Sequence, residues 1–170
     1  SLPGLMSLDE LETFESDRLL GPVTVPVLVE PRSLFVVDLR TAPLPARGRL
    51  SAWDQLRKEQ REWRQGRRVS GSSAAVRQCL ETWRRFGPKS GSHIELHTDR
   101  KLAYRKLYRE TFPRHIRSHA RVSSKAKRDR RNALFASNFT NAMLRDGLSR
   151  LVRETWGHSK TRLRLERHLW

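Results

Sequence analysis

The sequence has a single cysteine, Cys79, and no long uninterrupted apolar run. One cysteine excludes an internal disulfide, and no segment approaches the roughly 18 continuous apolar residues of a membrane-spanning helix. No charged segment followed by an apolar one opens the sequence, where Pro3 and Gly4 interrupt a short apolar stretch. We therefore expect a soluble, cytoplasmic protein with no membrane partner.

Acidic residues are scarce relative to basic ones. Asp and Glu total 18 against 35 Lys and Arg, a formal charge of +17 that favours a polyanionic partner. The charge is uneven, with net values of −4 over residues 1–46, +6 over 47–99 and +15 over 100–170. One interpretation is an accident of composition. The other is that an acidic N-terminal part folds beside a basic C-terminal part, as suits an enzyme that handles phosphates with metal ions.

Apolar periodicity predicts alternating strands and helices. The predicted strands cover residues 5–14, 23–30, 33–39, 93–98 and 116–122. The predicted helices cover residues 52–68, 73–86, 101–112, 138–155 and a segment after Gly157, with Ser73 and Asn138 as candidate caps. This order matches the ribonuclease-H-like α/β fold, a mixed sheet with flanking helices. We expect one domain over residues 1–170, with a charged helical insertion near residues 47–72.

Two sets of side chains invite a nucleic-acid interpretation. The first set is a basic run that comprises Lys125, Lys127, Arg128, Arg130 and Arg131. Such a run is either a surface that contacts phosphates or a solvated surface. We favour contact with DNA phosphates. The second set is tryptophan: Trp53, Trp63, Trp83 and Trp156 could stack on bases, but their helical spacing favours a place in the core.

Two acids stand out by position. Asp9 lies in the first predicted strand, and Asp99 ends the strand that begins at His93. In the ribonuclease-H-like arrangement these strands are neighbours, so the two carboxylates meet at one edge of the sheet. Such oxygen ligands suit Mg²⁺ or Mn²⁺, and two ions about 4 Å apart can support phosphoryl transfer. The alternative is that each acid is an ordinary turn residue.

Three separated blocks carry a family resemblance. They are residues 8–14 (LDELETF), 97–104 (HTDRKLAY) and 138–160 (NFTNAMLRDGLSRLVRETWGHSK). Together they resemble the catalytic region of bacterial insertion-sequence transposases of the DDE type, and the resemblance spans almost the whole chain. It implies metal-dependent cutting and joining of DNA strands at insertion-sequence ends, by a homo-oligomer on DNA in the bacterial nucleoid.

The resemblance also implies roles for individual residues. Asp9 and Asp99 become the first two metal ligands, and Glu10 a neighbour that does not bind metal. The family's third acid falls on Asn138, with Lys160 as the basic residue that follows it and contacts DNA. An amide oxygen can bind Mg²⁺ but brings no charge. Asp146 and Glu154 are alternative third ligands, and a further alternative is that Asn138 only caps its helix.

The departure at Asn138 keeps a second function open. A decayed transposase, or another non-catalytic basic protein that binds nucleic acid, would tolerate the loss of an acid there. The sequence begins close to its first predicted strand, without a helix-turn-helix or zinc ribbon that would recognise element ends. We therefore expect the chain to be a fragment that lacks an N-terminal DNA-recognition domain.

Overall fold

The computed structural model describes residues 1–123, 125–127, 129–148, 151 and 161–169. A mixed sheet runs through it in the strand order β3-β2-β1-β5-β6, with a short β4 paired to β2. Its strands are β1 (Leu5–Phe14), β2 (Pro22–Val29), β3 (Val36–Leu39), β4 (Ala42–Pro43), β5 (His93–Asp99) and β6 (Ile116–Val122). The five predicted strands are confirmed.

The sheet changes direction at β1. The strands β1, β2 and β3 are antiparallel neighbours, whereas β5 runs parallel to both β1 and β6. The apolar, valine-rich β2 suits its place inside the sheet, because a strand covered on both faces needs apolar residues on both. The helices are α1 (Ala52–Gln65), α2 (Ser72–Phe86), α3 (Leu102–Thr111), α4 (Phe135–Gly147) and α5 (Arg162–Leu169). Helices α2 and α3 cover one face of the sheet and α4 and α5 the other, whereas no residue of α1 is buried.

Each face of the sheet has its own core. On one face, Met6, Leu8 and Leu96 pack in a cluster with α2 and α3, centred on the fully buried Trp83. On the other face, Leu11 and the β2 valines pack against residues of α4 and α5. Because side chains alternate along a strand, even-numbered residues of β1 face α2 and α3, and odd-numbered residues face α4.

The helix predicted from Asn138 differs most from expectation. It begins at Phe135 and ends at Gly147, where Leu148 turns into extended backbone, and its 13 residues make it shorter than α2. Asn138 lies within its first turn and is not its cap, a position that Leu134 occupies. The apolar spacing in the sequence continues past Gly147. The helix nevertheless ends there, because glycine favours helix ends.

Two smaller predictions are also corrected. Helix α2 begins at Ser72 after Gly71, so Ser73 does not cap it. Trp53 and Trp63 lie on the exposed helix α1, with 67% and 88% of their surface accessible, so only Trp83 of the described tryptophans is a core residue. Trp156 lies outside the described residues. Among the described residues, no helix is long and apolar enough to span a membrane.

Candidate active site

Asp9 and Asp99 come to the same level of the sheet. The parallel pairing of β1 with β5 joins Leu5 to Glu95 and Ser7 to His97. Continuing this register by two residues puts Asp9 beside Asp99. Both are odd-numbered positions, so both side chains emerge on the face that carries α4. The sequence prediction that these two acids would be brought together is confirmed in position.

Helix α4 brings amide side chains to the same place. The hydroxyls of Ser7 and Ser137 form a buried hydrogen bond of 2.5 Å that fixes α4 against β1. One turn further along α4, Asn141 Nδ2 donates to Asp9 Oδ2 at 3.0 Å. Asn138 is on the same side of the helix, because residues three positions apart share a face.

A small pocket of about 80 Å³ collects these residues. It is lined by Asp9, Asp99, Ser123, Ala126, Asn132, Leu134 and Asn138. The three residues that the sequence proposed as ligands therefore share one cavity, and its volume suits a hydrated ion or a few water molecules. Three of the lining residues, Ser123, Ala126 and Asn132, follow β6 in the sequence.

The two carboxylates have different surroundings. Burial raises the pKa of Asp9 above its ordinary value, and the negative charges of Asp99 and Glu10 add to the increase. Hydrogen bonds from the Glu10 backbone and from Asn141 oppose it without cancelling it. Asp99 is held by the backbone N–H of Lys101, which donates to its Oδ1 at 2.8 Å. Neutralising charge at Asp9 would thus be favourable, as a bound cation achieves.

Glu10 occupies the opposite face of the sheet. Its carboxylate accepts from Thr24 Oγ1 at 2.7 Å, Ser72 Oγ at 2.8 Å, Tyr104 OH at 2.8 Å and Lys101 Nζ at 2.5 Å. Burial works to raise the pKa of Glu10, but these hydrogen bonds and the charge of Lys101 outweigh it and lower the pKa. These hydrogen bonds all lie on the face of the sheet opposite the pocket.

The loop after β6, which supplies lining residues of the pocket, also carries exposed basic residues. Lys125, Lys127, Arg130 and Arg131 are exposed, and they alternate in sequence with the lining residues Ala126 and Asn132. Asn132 shapes this loop, since its Nδ2 donates to the Lys127 carbonyl at 2.7 Å and its Oδ1 accepts from the Leu134 N–H at 2.8 Å. Arg128 and Lys160, also predicted to contact DNA, lie outside the described residues.

The donor set at the pocket is chemically suited to a hard divalent ion. It offers two carboxylates and the amide of Asn138, and the nearby Asn141 has a buried Oδ1 with no hydrogen-bond partner among the described residues. Within the described ranges, no three His, Cys, Asp or Glu side chains gather as a metal-binding group. Asp146 is exposed and does not line the pocket, and Glu154 is outside the described residues.

Sequence reasoning missed the supporting polar residues of α4. Ser137 and Thr140 are buried, and Asn141 bonds to Asp9. A signal was present: Ser137, Asn138 and Asn141 have the spacing of one helical face, in a helix whose inner face should be apolar. Read with the polar Ser7 inside an apolar strand, that stripe would have indicated contact between α4 and β1.

The strand order of the sheet defines the fold class. In this mixed sheet, β1, β2 and β3 are antiparallel neighbours, and β5 and β6 run parallel to β1. This is the ribonuclease-H-like arrangement. Similar solved structures include the ribonuclease H1 of Halobacterium salinarum NRC-1, at 17% identity and a TM-score of 0.36 over 72% of this chain and 86% of that one. Another is the N-terminal ribonuclease H domain of Rv2228c from Mycobacterium tuberculosis, a fusion with maltose-binding protein, at 10% identity and 0.37 over 79% and 94%.

TM-scores below 0.5 carry no argument, and the fold class is supported by the strand order of the sheet itself. No protein-family model matches the chain, and no curated protein matches it.

Proposed function

We propose that this chain is the catalytic domain of an insertion-sequence transposase, which cuts and joins DNA strands by metal-dependent phosphoryl transfer. The observation that supports this most is the meeting of Asp9, Asp99 and Asn138 in one pocket, from three separate parts of the sequence. These are the positions at which the three family-like blocks place metal ligands.

Asp9, Asp99 and Asn138 would hold Mg²⁺ or Mn²⁺ through oxygen atoms. When bound, the metal supplies charge stabilisation at phosphate oxygens and lowers the pKa of the attacking hydroxyl or water. The protein's own part is to fix the ligands: the Lys101 N–H orients Asp99, and Asn141 orients Asp9. Asn138 contributes no negative charge, so the site should bind Mg²⁺ more weakly than a site of three carboxylates.

Duplex DNA is the proposed substrate, held by phosphate contacts. Exposed Lys125, Lys127, Arg130 and Arg131 lie in the loop that supplies lining residues of the pocket, and they can approach a backbone whose scissile phosphate lies near Asp9 and Asp99. Binding of this kind has little sequence preference. If about six phosphates are neutralised, log K should fall against log salt with a slope of roughly −5. Affinity that does not depend on salt would contradict this electrostatic binding.

The test of catalysis is a strand-cleavage and strand-joining assay with Mg²⁺ or Mn²⁺, on duplex DNA carrying the element ends that flank the coding sequence. Asp9→Ala and Asp99→Ala should each abolish product, while DNA affinity stays the same or rises because an acid has left a basic surface. Asp146→Ala is the matched control, since this exposed acid lies on α4 outside the pocket. Full activity of Asp99→Ala would contradict the proposal.

A second candidate function is nucleic-acid binding without catalysis, as in a decayed transposase. The observation that favours it is the amide at position 138, where the family pattern has an acid. Asn138→Glu separates the two: in a decayed enzyme the added carboxylate should restore some metal-dependent cleavage to an inactive chain. If Asn138 is a working ligand, the chain is active as it stands and the substitution changes the preference between Mg²⁺ and Mn²⁺.

A further inference from the structure

Helix α1 exposes an apolar stripe that no described residue covers. None of its residues is buried, although Trp53, Leu56 and Trp63 are large and apolar. At about 100° of rotation per residue, these three side chains fall within about 80° of one another around the helix. The Trp residues are ten positions apart, about 15 Å along the axis. Exposed tryptophan at two ends of one helical face indicates a binding surface.

On the side of the stripe next to Trp53, the neighbouring charges are positive. A groove of about 410 Å³ runs between α1 and the β1–β2 turn, and three arginines line it: Arg57, Arg61 and Arg64. Its one acid, Asp17, already pairs with Arg57 at 2.5 Å. Arg61 donates to the amide of Gln65 at 3.2 Å. A ligand that fits this groove therefore carries negative charge. At about 100° per residue, Trp53 lies beside the arginines around the helix, and Trp63 lies farther round on the other side of Trp53.

We propose that α1 binds a nucleic-acid strand with unpaired bases, whose phosphates lie along the arginine groove while bases stack on Trp53 and Trp63. Arginine beside exposed aromatic rings is the arrangement that single strands need, because every base offers a face for stacking and every linkage a charge. The surface is separate from the Asp9–Asp99 pocket, since none of the residues lining that pocket belongs to α1.

The charge of the groove argues against a second copy of this chain as the occupant. The chain has a net charge of +17, and apposing two such arginine-lined grooves would repel. Duplex DNA satisfies the arginines but keeps its bases stacked and unavailable to the tryptophans. A single strand satisfies both parts of the surface.

Fluorescence anisotropy with a labelled oligothymidylate, in EDTA and in an Asp99→Ala background, isolates this surface from metal and from catalysis. The double variant Trp53→Ala/Trp63→Ala should lose tenfold or more in affinity for the single strand, as expected for two lost stacking contacts. Trp53→Phe/Trp63→Phe should retain most of the affinity. Phe35→Ala removes another exposed aromatic ring and should change nothing.

The salt dependence separates stacking from charge. The alanine double variant should keep the wild-type slope, whereas Arg61→Gln/Arg64→Gln should lessen it by about 1.4. These charge variants also test the surface should the tryptophan variant fold poorly. Unchanged single-strand affinity in both double variants would overturn the proposal. So would a tryptophan variant that loses only self-association in sedimentation, which would assign the stripe to a second copy. Neither result bears on cleavage, so the proposed function stands or falls separately.

Discussion

Asp9 and Glu10 are adjacent in β1, yet their carboxylates lie in opposite environments. Glu10 faces α2 and α3 and accepts hydrogen bonds from four side chains, and its pKa is lowered. Asp9 faces α4, accepts one side-chain hydrogen bond from Asn141, and its pKa is raised. The strand thus separates a satisfied structural carboxylate from one that still has room for a cation.

This difference shows how one strand can serve stability and chemistry together. Lys101 touches both sides: its Nζ binds Glu10, and its backbone N–H binds Asp99. The ion pair on one face thereby fixes the loop that presents Asp99 on the other. Substitutions of Glu10 should therefore act mainly on folding, and substitutions of Asp9 mainly on metal binding.

The largest effect on stability should come from Glu10→Ala. It leaves the hydroxyls of Thr24, Ser72 and Tyr104 without their acceptor and breaks the pair with Lys101. Loss of one partner from a buried pair lowers the free energy of unfolding by about 3–5 kcal/mol. Because Lys101 is partly exposed, we expect a decrease of about 3 kcal/mol. Urea unfolding measures it, with Glu10→Gln expected to recover part. A loss below about 1 kcal/mol would refute the structural role.

A smaller effect is expected where α4 joins β1. Ser137→Ala leaves the buried Ser7 hydroxyl without its partner, which costs about 1–3 kcal/mol. The same change loosens the helix that carries Asn138 and Asn141, so cleavage should fall more than DNA binding. Thermal melting and the cleavage assay together measure this. Equal loss in cleavage and binding would show that Ser137 supports the fold without positioning α4.

Acid sensitivity should come from His119 on β6, separately from the two carboxylates. Burial, together with Arg121, Arg105 and His97, lowers the pKa of His119 to about 4. The folded state therefore favours neutral His119, and its stabilising contribution is complete above about pH 6.5 and lost as the pH falls towards 4. After allowance for solvent, the loss is about 1–2 kcal/mol. Urea unfolding of His119→Gln across this range should show a flatter profile, and an unchanged profile would contradict it.

The smallest stability effect is expected at Asp9 itself. Asp9→Asn removes a buried charge and its repulsion with Asp99, so the free energy of unfolding should stay the same or rise by up to about 1 kcal/mol. Cleavage should nevertheless disappear. Urea unfolding curves of Asp9→Asn and Glu10→Gln compare the two faces of β1 directly. A marked destabilisation by Asp9→Asn would contradict the predicted difference between the two carboxylates.

The sequence predicted the strands and the meeting of Asp9 with Asp99 because period-two alternation and chain order determine both. It could not predict the bounds of α4, since apolar spacing continues beyond Gly147 while the helix does not. Nor did it predict the Glu10 cluster, whose donors lie between 14 and 94 positions away in sequence. The exposure of Trp53 and Trp63 was missed because helical spacing shows which residues share a face and not whether that face is covered.

The roles of Asp9, Asp99 and Asn138 as ligands stay a prediction, and metal binding tests them most directly. If the ion binds with a Kd near 1 mM, 10 mM Mn²⁺ stabilises the fold by about 1.4 kcal/mol, which raises the melting temperature by roughly 3–5 °C relative to EDTA. Asp9→Asn and Asp99→Asn should lose this increase, and Asp146→Asn and Glu10→Gln should keep it. The same increase in Asp99→Asn as in the unaltered chain would contradict the account.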